Sequence, residues 1–130
     1  QKGLGAVHSV SHPVGAIYDT HHGRTNGVML PYVLVFNRPA IEERMAYLAR
    51  VLDLPGVGFD ALLDWLLSFR KALYIDDTLA EIGVQEKDVD TLAEKALGDP
   101  SSSGNPRPMT GEDFRVLIPA AVRGDLAVKG

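Results

Sequence analysis

The 130-residue chain contains no cysteine, no long apolar run and no excess of basic residues, and each absence excludes a class of protein. Without cysteine there is no disulfide framework and no thiolate ligand, so a metal ion would have to be held by nitrogen and oxygen atoms. The same absence favours a reducing compartment, and we expect a cytoplasmic protein. The apolar stretch of residues 28–36 is interrupted by Pro31 and is shorter than the roughly 20 residues of a membrane span.

The charge and length point to one ordinary globular domain. The net charge of −4 is small and spread along the chain, which argues against nucleic acid and against an anionic membrane surface as partners. A chain of 130 residues with 45% hydrophobic residues can form its own core. We therefore expect residues 1–130 to form a single helical domain. The N-terminus opens directly on an apolar helical pattern without a signal peptide, and we interpret it as the cut end of a longer chain.

The sequence also lacks a glycine-rich phosphate loop. Two short glycine pairs occur, at Gly3 and Gly5 and at Gly56 and Gly58. Neither lies between a strand and a helix, which is the context that phosphate binding requires. The chain is therefore not expected to bind NAD unaided.

Apolar residues recur with helical spacing nearly throughout, and no strand pattern competes, so the sequence predicts an all-α helical bundle. Helices are expected over residues 4–17, from His22 onward, from Pro39 to the break at residues 54–56, over 59–74, over 89–98, and after Thr110, which with Asp113 can cap the last helix. A short turn over residues 78–82 should be closed by Gly83. Pro13 and Pro31 either bend their helices or end short ones.

One predicted helix carries a broad apolar stripe that we interpret as core. Its members are spaced by three or four residues: Leu62, Trp65, Leu66, Phe69 and Leu73. A stripe of this width must pack against other helices.

The most informative pattern is a cluster of histidines near the N-terminus. All four histidines of the chain, His8, His12, His21 and His22, fall within fifteen residues. Three of them form the pattern H-x3-H-x9-H, and His8 and His12 share one face if the segment is a helix. Imidazole nitrogen suits Zn²⁺ or Fe²⁺, although a histidine on a helix face can equally be a structural residue. The histidines resemble part of a metal site and are too few to complete one.

Two motifs resemble those of the iron-containing, group III alcohol dehydrogenases. The first covers residues 3–37 and carries these matching positions: His8, His12-Pro13, Gly15, Tyr18, His22-Gly23, Asn26 and Leu30-Pro31. The second, Gly104-Asn105-Pro106-Arg107, is similar to the loop that precedes the family's last helix. The order of the two motifs also matches. The resemblance implies the helical fold of the C-terminal domain that this family shares with the dehydroquinate synthase-like proteins.

The resemblance assigns roles to three histidines. In the family, one aspartate and three histidines bind a divalent ion, and the pair at this separation corresponds to His8 and His22. The position of His12 lies beside the nicotinamide and the substrate, which implies a role in proton transfer or positioning. His21 stands where the family commonly has proline, and we expect it to face solvent.

The resemblance also implies what is missing from this chain. In the family, an N-terminal nucleotide-binding domain binds NAD or NADP, and an earlier helix supplies the other two metal ligands. We therefore expect part of an alcohol dehydrogenase or aldehyde reductase, inactive alone, that uses Fe²⁺ or alternatively Zn²⁺ and acts on a small alcohol or aldehyde. A homo-oligomer is possible in this family. Two alternatives stay open: a portion of a zinc-dependent, glycerol dehydrogenase-like enzyme, and a metal-free helical interaction module with an exposed apolar patch.

Overall fold

The structure, a computed structural model, describes residues 10, 13–15, 22–99, 105 and 109–127, with residues 22–24 described by their backbone alone. This part of the chain contains no strand, and the all-α fold expected from the sequence is confirmed. Its elements are α1 (His22–Val51), α2 (Gly58–Ala72), two 3₁₀ turns (Ala80–Ile82 and Glu86–Asp88), α3 (Val89–Gly98) and α4 (Gly111–Arg123). Residues 10 and 13–15 are also helical.

The first half of α1 lies inside the bundle. Nearly every side chain in residues 28–36 is buried, including Met29, Tyr32 and Phe36, as expected for a helix that is apolar on all sides. Among the described residues, no helix is long and apolar enough to cross a membrane. The second half of α1 is amphipathic, and the outer face that the sequence predicts is exposed: Glu42, Glu43, Arg44 and Arg50.

The main core joins the first half of α1 to α3, α4 and the segment before α1. Its largest buried members are the following: Val10, Val14, Val28, Met29, Tyr32, Val33, Phe36, Leu79, Leu92, Phe114, Leu117 and Ile118. The last helix begins as predicted, because Thr110 and Asp113 form reciprocal side chain to backbone hydrogen bonds of 3.1 and 2.9 Å. Gly83 closes the first 3₁₀ turn with φ of 100°, which confirms its predicted role.

α2 lies antiparallel to α1 and forms a separate, smaller core with it. Phe59, at the start of α2, packs with Leu34 and Ile41, whereas Arg70, near its end, donates a hydrogen bond to the Val28 carbonyl at 3.1 Å. A further cluster joins the end of α1 to the start of α2 and consists of Ala49, Ala61 and Leu62.

The predicted helix start at Pro39 is wrong. Pro31 and Pro39 both lie inside the 30-residue α1. Leu34, before Pro39, and Ile41, after it, contact the same residue, Phe59, so packing against α2 holds the helix together across the proline. This packing compensates for the missing backbone donor. Because α1 also continues past Pro31, the alternative that Pro31 ends a short helix is wrong as well.

The interpretation of the whole α2 stripe as core is also wrong. Leu62 is buried, but Trp65, Phe69 and Leu73 are 41%, 48% and 54% exposed. Among the described elements, α2 packs chiefly against α1, and one neighbouring helix covers only part of so wide a stripe. The outer edge of the stripe is therefore left uncovered.

Candidate functional site

The structure tests only part of the predicted metal site. His8, His12 and His21 lie outside the described residues, and of His22 only the backbone is described. His22 is the first residue of α1, the helix whose next two turns lead into the main core. Within the part of the chain that the structure describes, no three histidine, aspartate or glutamate side chains form a cluster able to hold a metal ion. The roles of His8, His12 and His22 therefore stay predictions.

Asn26 presents an unsatisfied polar atom close to this helix start. It lies four residues, or about one helical turn, after His22. Its side-chain oxygen Oδ1 is buried and has no hydrogen-bond partner. Buried acceptors without partners are uncommon in folded proteins and cost about 1–3 kcal/mol. An acceptor left open at this position is suited to receive a hydrogen bond from a bound molecule.

A buried arginine fixes the first half of α1. The Arg70 side chain is 5% exposed and donates hydrogen bonds to the Val28 carbonyl at 3.1 Å and to Asp77 Oδ1 at 3.3 Å. Its guanidinium also lies 6.0 Å from the centre of the Tyr32 ring. The Val28 carbonyl lies next to the Gly27 carbonyl, which Pro31 leaves without its helical donor, so Arg70 ties the end of α2 to this part of α1. Arg70 thus contacts α1 about half a turn after Asn26.

Tyr32 links the same part of α1 to the segment after α2. Its hydroxyl donates a hydrogen bond to the Asp77 backbone carbonyl. Burial raises the pKa of the Tyr32 hydroxyl above its ordinary value, because desolvation disfavours the phenolate, and the nearby Arg70 opposes this shift. Tyr32 therefore remains a neutral donor at physiological pH.

The two sequence motifs meet through a pair of buried asparagines. Asn37 Nδ2 donates to Asn105 Oδ1 at 2.8 Å, and Asn105 Nδ2 donates to Asn37 Oδ1 at 2.8 Å. Both side chains are buried, at 0% and 8% exposure. Asn37 is the last residue of the first motif's range and Asn105 belongs to the second motif, so the amide pair holds Asn105 against α1. The second motif includes Asn105, but its pairing with Asn37 across 68 positions carries no sequence signal.

The comparisons with known proteins agree with this architecture. The model of the Fe-containing alcohol dehydrogenase family, C-terminal, matches residues 1–122. The chain therefore belongs to the iron-containing alcohol dehydrogenase family and corresponds to its C-terminal, helical part. This match includes all four histidines, Asn26 and both members of the asparagine pair.

The chain is also similar to individual members of the family. The chain is 35% identical over 125 residues to lactaldehyde reductase of Escherichia coli, and 36% identical over 126 residues to the NAD-dependent methanol dehydrogenase of Bacillus methanolicus. Each match covers 92% of this chain and 33% of the relative. The crystal structure of a 1,3-propanediol oxidoreductase superimposes with a TM-score of 0.81 at 30% identity, over 89% of this chain and 32% of that one. The chain thus spans about a third of the length of the curated relatives it matches.

Proposed function

We propose that this chain is the helical, metal-binding part of an NAD(P)-linked alcohol dehydrogenase or aldehyde reductase, and that it forms one domain over residues 1–130. The observation that carries the proposal is the family match over residues 1–122, which includes the whole histidine cluster and both motifs. Three of its relatives are named for reactions of small alcohols or aldehydes. A small alcohol or aldehyde is therefore the proposed substrate.

The proposed metal ligands of this chain are His8 and His22. Two imidazoles in a chain without cysteine suit Fe²⁺, as the family implies, and also suit Zn²⁺. The unpartnered Oδ1 atom of Asn26, one turn after His22, fits a site that is completed by a bound group. Because two ligands do not complete a site, the remaining ligands and most of the contacts to NAD or NADP come from segments outside this chain. The chain alone is then inactive.

The residues of this chain divide the work of such a site. A divalent ion, when bound, supplies Lewis-acid polarisation of the substrate oxygen, and the nicotinamide supplies or accepts the hydride. His12 carries the proton between the substrate hydroxyl and solvent, a contribution that is commonly about 10²–10⁴-fold. Asn26 offers an acceptor to the bound substrate or cofactor. Arg70 and the asparagine pair hold α1 in place while this happens.

Metal titration of the purified chain tests the proposal without relying on activity. We expect weak one-to-one binding of Fe²⁺ under anaerobic conditions, or of Zn²⁺. Calorimetry measures the binding. Binding should vanish in the His8→Ala, His22→Ala double variant, because both proposed ligands are lost. His21→Ala is the matched control and should bind as the parent does. Equal behaviour of the parent and the double variant would contradict the assignment of the ligands.

Two further measurements separate the alternatives. Metal content of the intact enzyme distinguishes an iron-type protein from a zinc-dependent, glycerol dehydrogenase-like one. Robust NAD-dependent turnover by the 130-residue chain alone would contradict its proposed inactivity.

The exposed apolar residues of α2 favour a second candidate, a metal-free helical interaction module. Trp65, Phe69 and Leu73 form the kind of exposed apolar surface that marks an interface. In such a module, replacing His8 or His22 would leave partner binding unchanged. The metal titration therefore decides between the two candidates.

A further inference from the structure

An aromatic pair lies open to solvent on α2. The rings of Trp65 and Phe69 stack with their centroids 5.2 Å apart and their planes inclined by 11°. Leu73, one further turn along, is 54% exposed and extends the same edge. We call these three residues the aromatic flank. Exposed aromatic side chains are enriched at protein interfaces, because each buries a large area with few rotatable bonds.

A pair of opposite charges lies at the other edge of the exposed face of the same helix. Asp64 and Lys71 are both exposed, and at 100° per residue they project within about 20° of each other, almost two turns apart. Neither side chain has an ion-pair partner within the described part of the chain, whereas Asp60 is already bonded to Arg38 at 3.1 Å. This edge is thus acidic towards the start of α2 and basic towards its end.

The aromatic pair and the charged pair share one centre. The midpoint between Trp65 and Phe69 and the midpoint between Asp64 and Lys71 both fall at residues 67–68. If two copies of α2 pack antiparallel about a two-fold axis at this turn, the same side of each helix faces its counterpart. Each Asp64 then opposes the Lys71 of the other copy, and the two aromatic flanks meet. Ser68 and Ala72, small and exposed between the two edges, allow the helices to approach closely.

We propose that α2 is a self-association surface through which two copies of this chain pair antiparallel. The aromatic flank supplies the apolar contact, and the two Asp64–Lys71 pairs set the direction. A contact made by one helix from each copy is smaller than a standard protein interface, so the dimer is weak and depends on concentration. This pairing is independent of the metal site.

Sedimentation of the 130-residue chain over a range of micromolar concentrations tests the pairing. We expect a monomer–dimer equilibrium. Replacing both aromatic residues, in a Trp65→Ser, Phe69→Ser variant, should abolish it. Tyr47→Ser is the matched control, because Tyr47 is an exposed aromatic residue on α1, at 61%, and should leave the equilibrium unchanged. Circular dichroism confirms that each variant keeps its helices.

Charge reversal tests the direction of the pairing. Lys71→Asp or Asp64→Lys alone should weaken the dimer by about tenfold, because each places like charges opposite one another twice. The double exchange, Asp64→Lys with Lys71→Asp, should restore it. A chain that stays monomeric at all concentrations, or a dimer that Lys71→Asp leaves unchanged, would overturn the proposal. A longer protein containing this chain whose association ignores Lys71→Asp would also overturn it and would indicate that another part of that protein covers α2.

Discussion

Asn37 and Asn105 show how two single side chains bring distant motifs into one structure. Each amide donates to and accepts from the other, so a buried polar group that would otherwise be costly is satisfied by its counterpart. Both residues lie within the family match, and Asn105 is a matching position of the second motif. Neither observation says which atoms meet.

The asparagine pair can be measured through a double-mutant cycle. Asn37→Ala or Asn105→Ala alone should lower the free energy of unfolding by about 1–3 kcal/mol, because the remaining amide loses two buried hydrogen bonds. The double variant should cost less than the sum of the two single variants. Urea denaturation measures all three. Thr91→Ala, at an exposed site on α3, should change the stability by less than about 0.5 kcal/mol. Additive losses would show that the two amides do not interact.

At the scale of single residues, the sequence indicated which residues are candidates for the functional site, but it did not predict side-chain contacts. His8, His12 and His22 stand out because residue type and spacing are visible in a sequence, although their roles stay predictions. The burial of Arg70 and its bond to the Val28 carbonyl were not predicted, because an arginine in a helix normally indicates an exposed face. Its acceptors, the Val28 carbonyl and Asp77, lie in other segments of the chain, and a sequence does not reveal that they come together.

At the scale of helices, capping residues predicted where helices and turns begin or end more reliably than prolines did. Thr110 with Asp113 and Gly83 act locally, so the residues themselves determine the cap or the turn. Pro39 was misinterpreted as a helix start because its effect depends on packing. Leu34 and Ile41 both contact Phe59 across it, and a sequence does not reveal that contact.

The end of α4 offers a matched test of helix capping. Gly124 has φ of 83°, and a Cβ atom there would lie 3.0 Å from Thr78 Cγ2. Gly124→Ala should therefore lower the free energy of unfolding by about 1 kcal/mol or more. Gly98→Ala, at the end of α3, meets no atom within 4 Å and should be neutral or slightly stabilising. Thermal or urea unfolding compares the two. Equal losses would show that the left-handed conformation of Gly124 contributes nothing.

At the scale of the whole molecule, the described residues form two unequal cores. The main core joins four parts of the chain around the first half of α1, whereas α2 is held by smaller clusters and leaves its aromatic flank exposed. The sequence predicted an all-helical bundle because the apolar spacing is helical throughout. It did not predict which apolar stripe would stay exposed, because exposure depends on how many other helices pack against that stripe.

Hydrogen exchange should reveal this inequality. Local stability follows buried contacts, so amides in residues 28–36 and in α4 should exchange at least about tenfold more slowly than those in α2. Mass spectrometry or NMR at a concentration where the chain is monomeric measures the rates. Equal protection of α2 and α4 would contradict the division into two cores.

The exposed position of Trp65 also determines what fluorescence can report. It is the single tryptophan of the chain, and its ring is 41% exposed and stacked on Phe69 rather than enclosed by the main core. Its fluorescence emission therefore depends on the polarity around α2 and is insensitive to the packing around Phe36 and Phe114. Fluorescence spectra recorded during unfolding would therefore report changes around α2 and would not report the loss of packing in the main core.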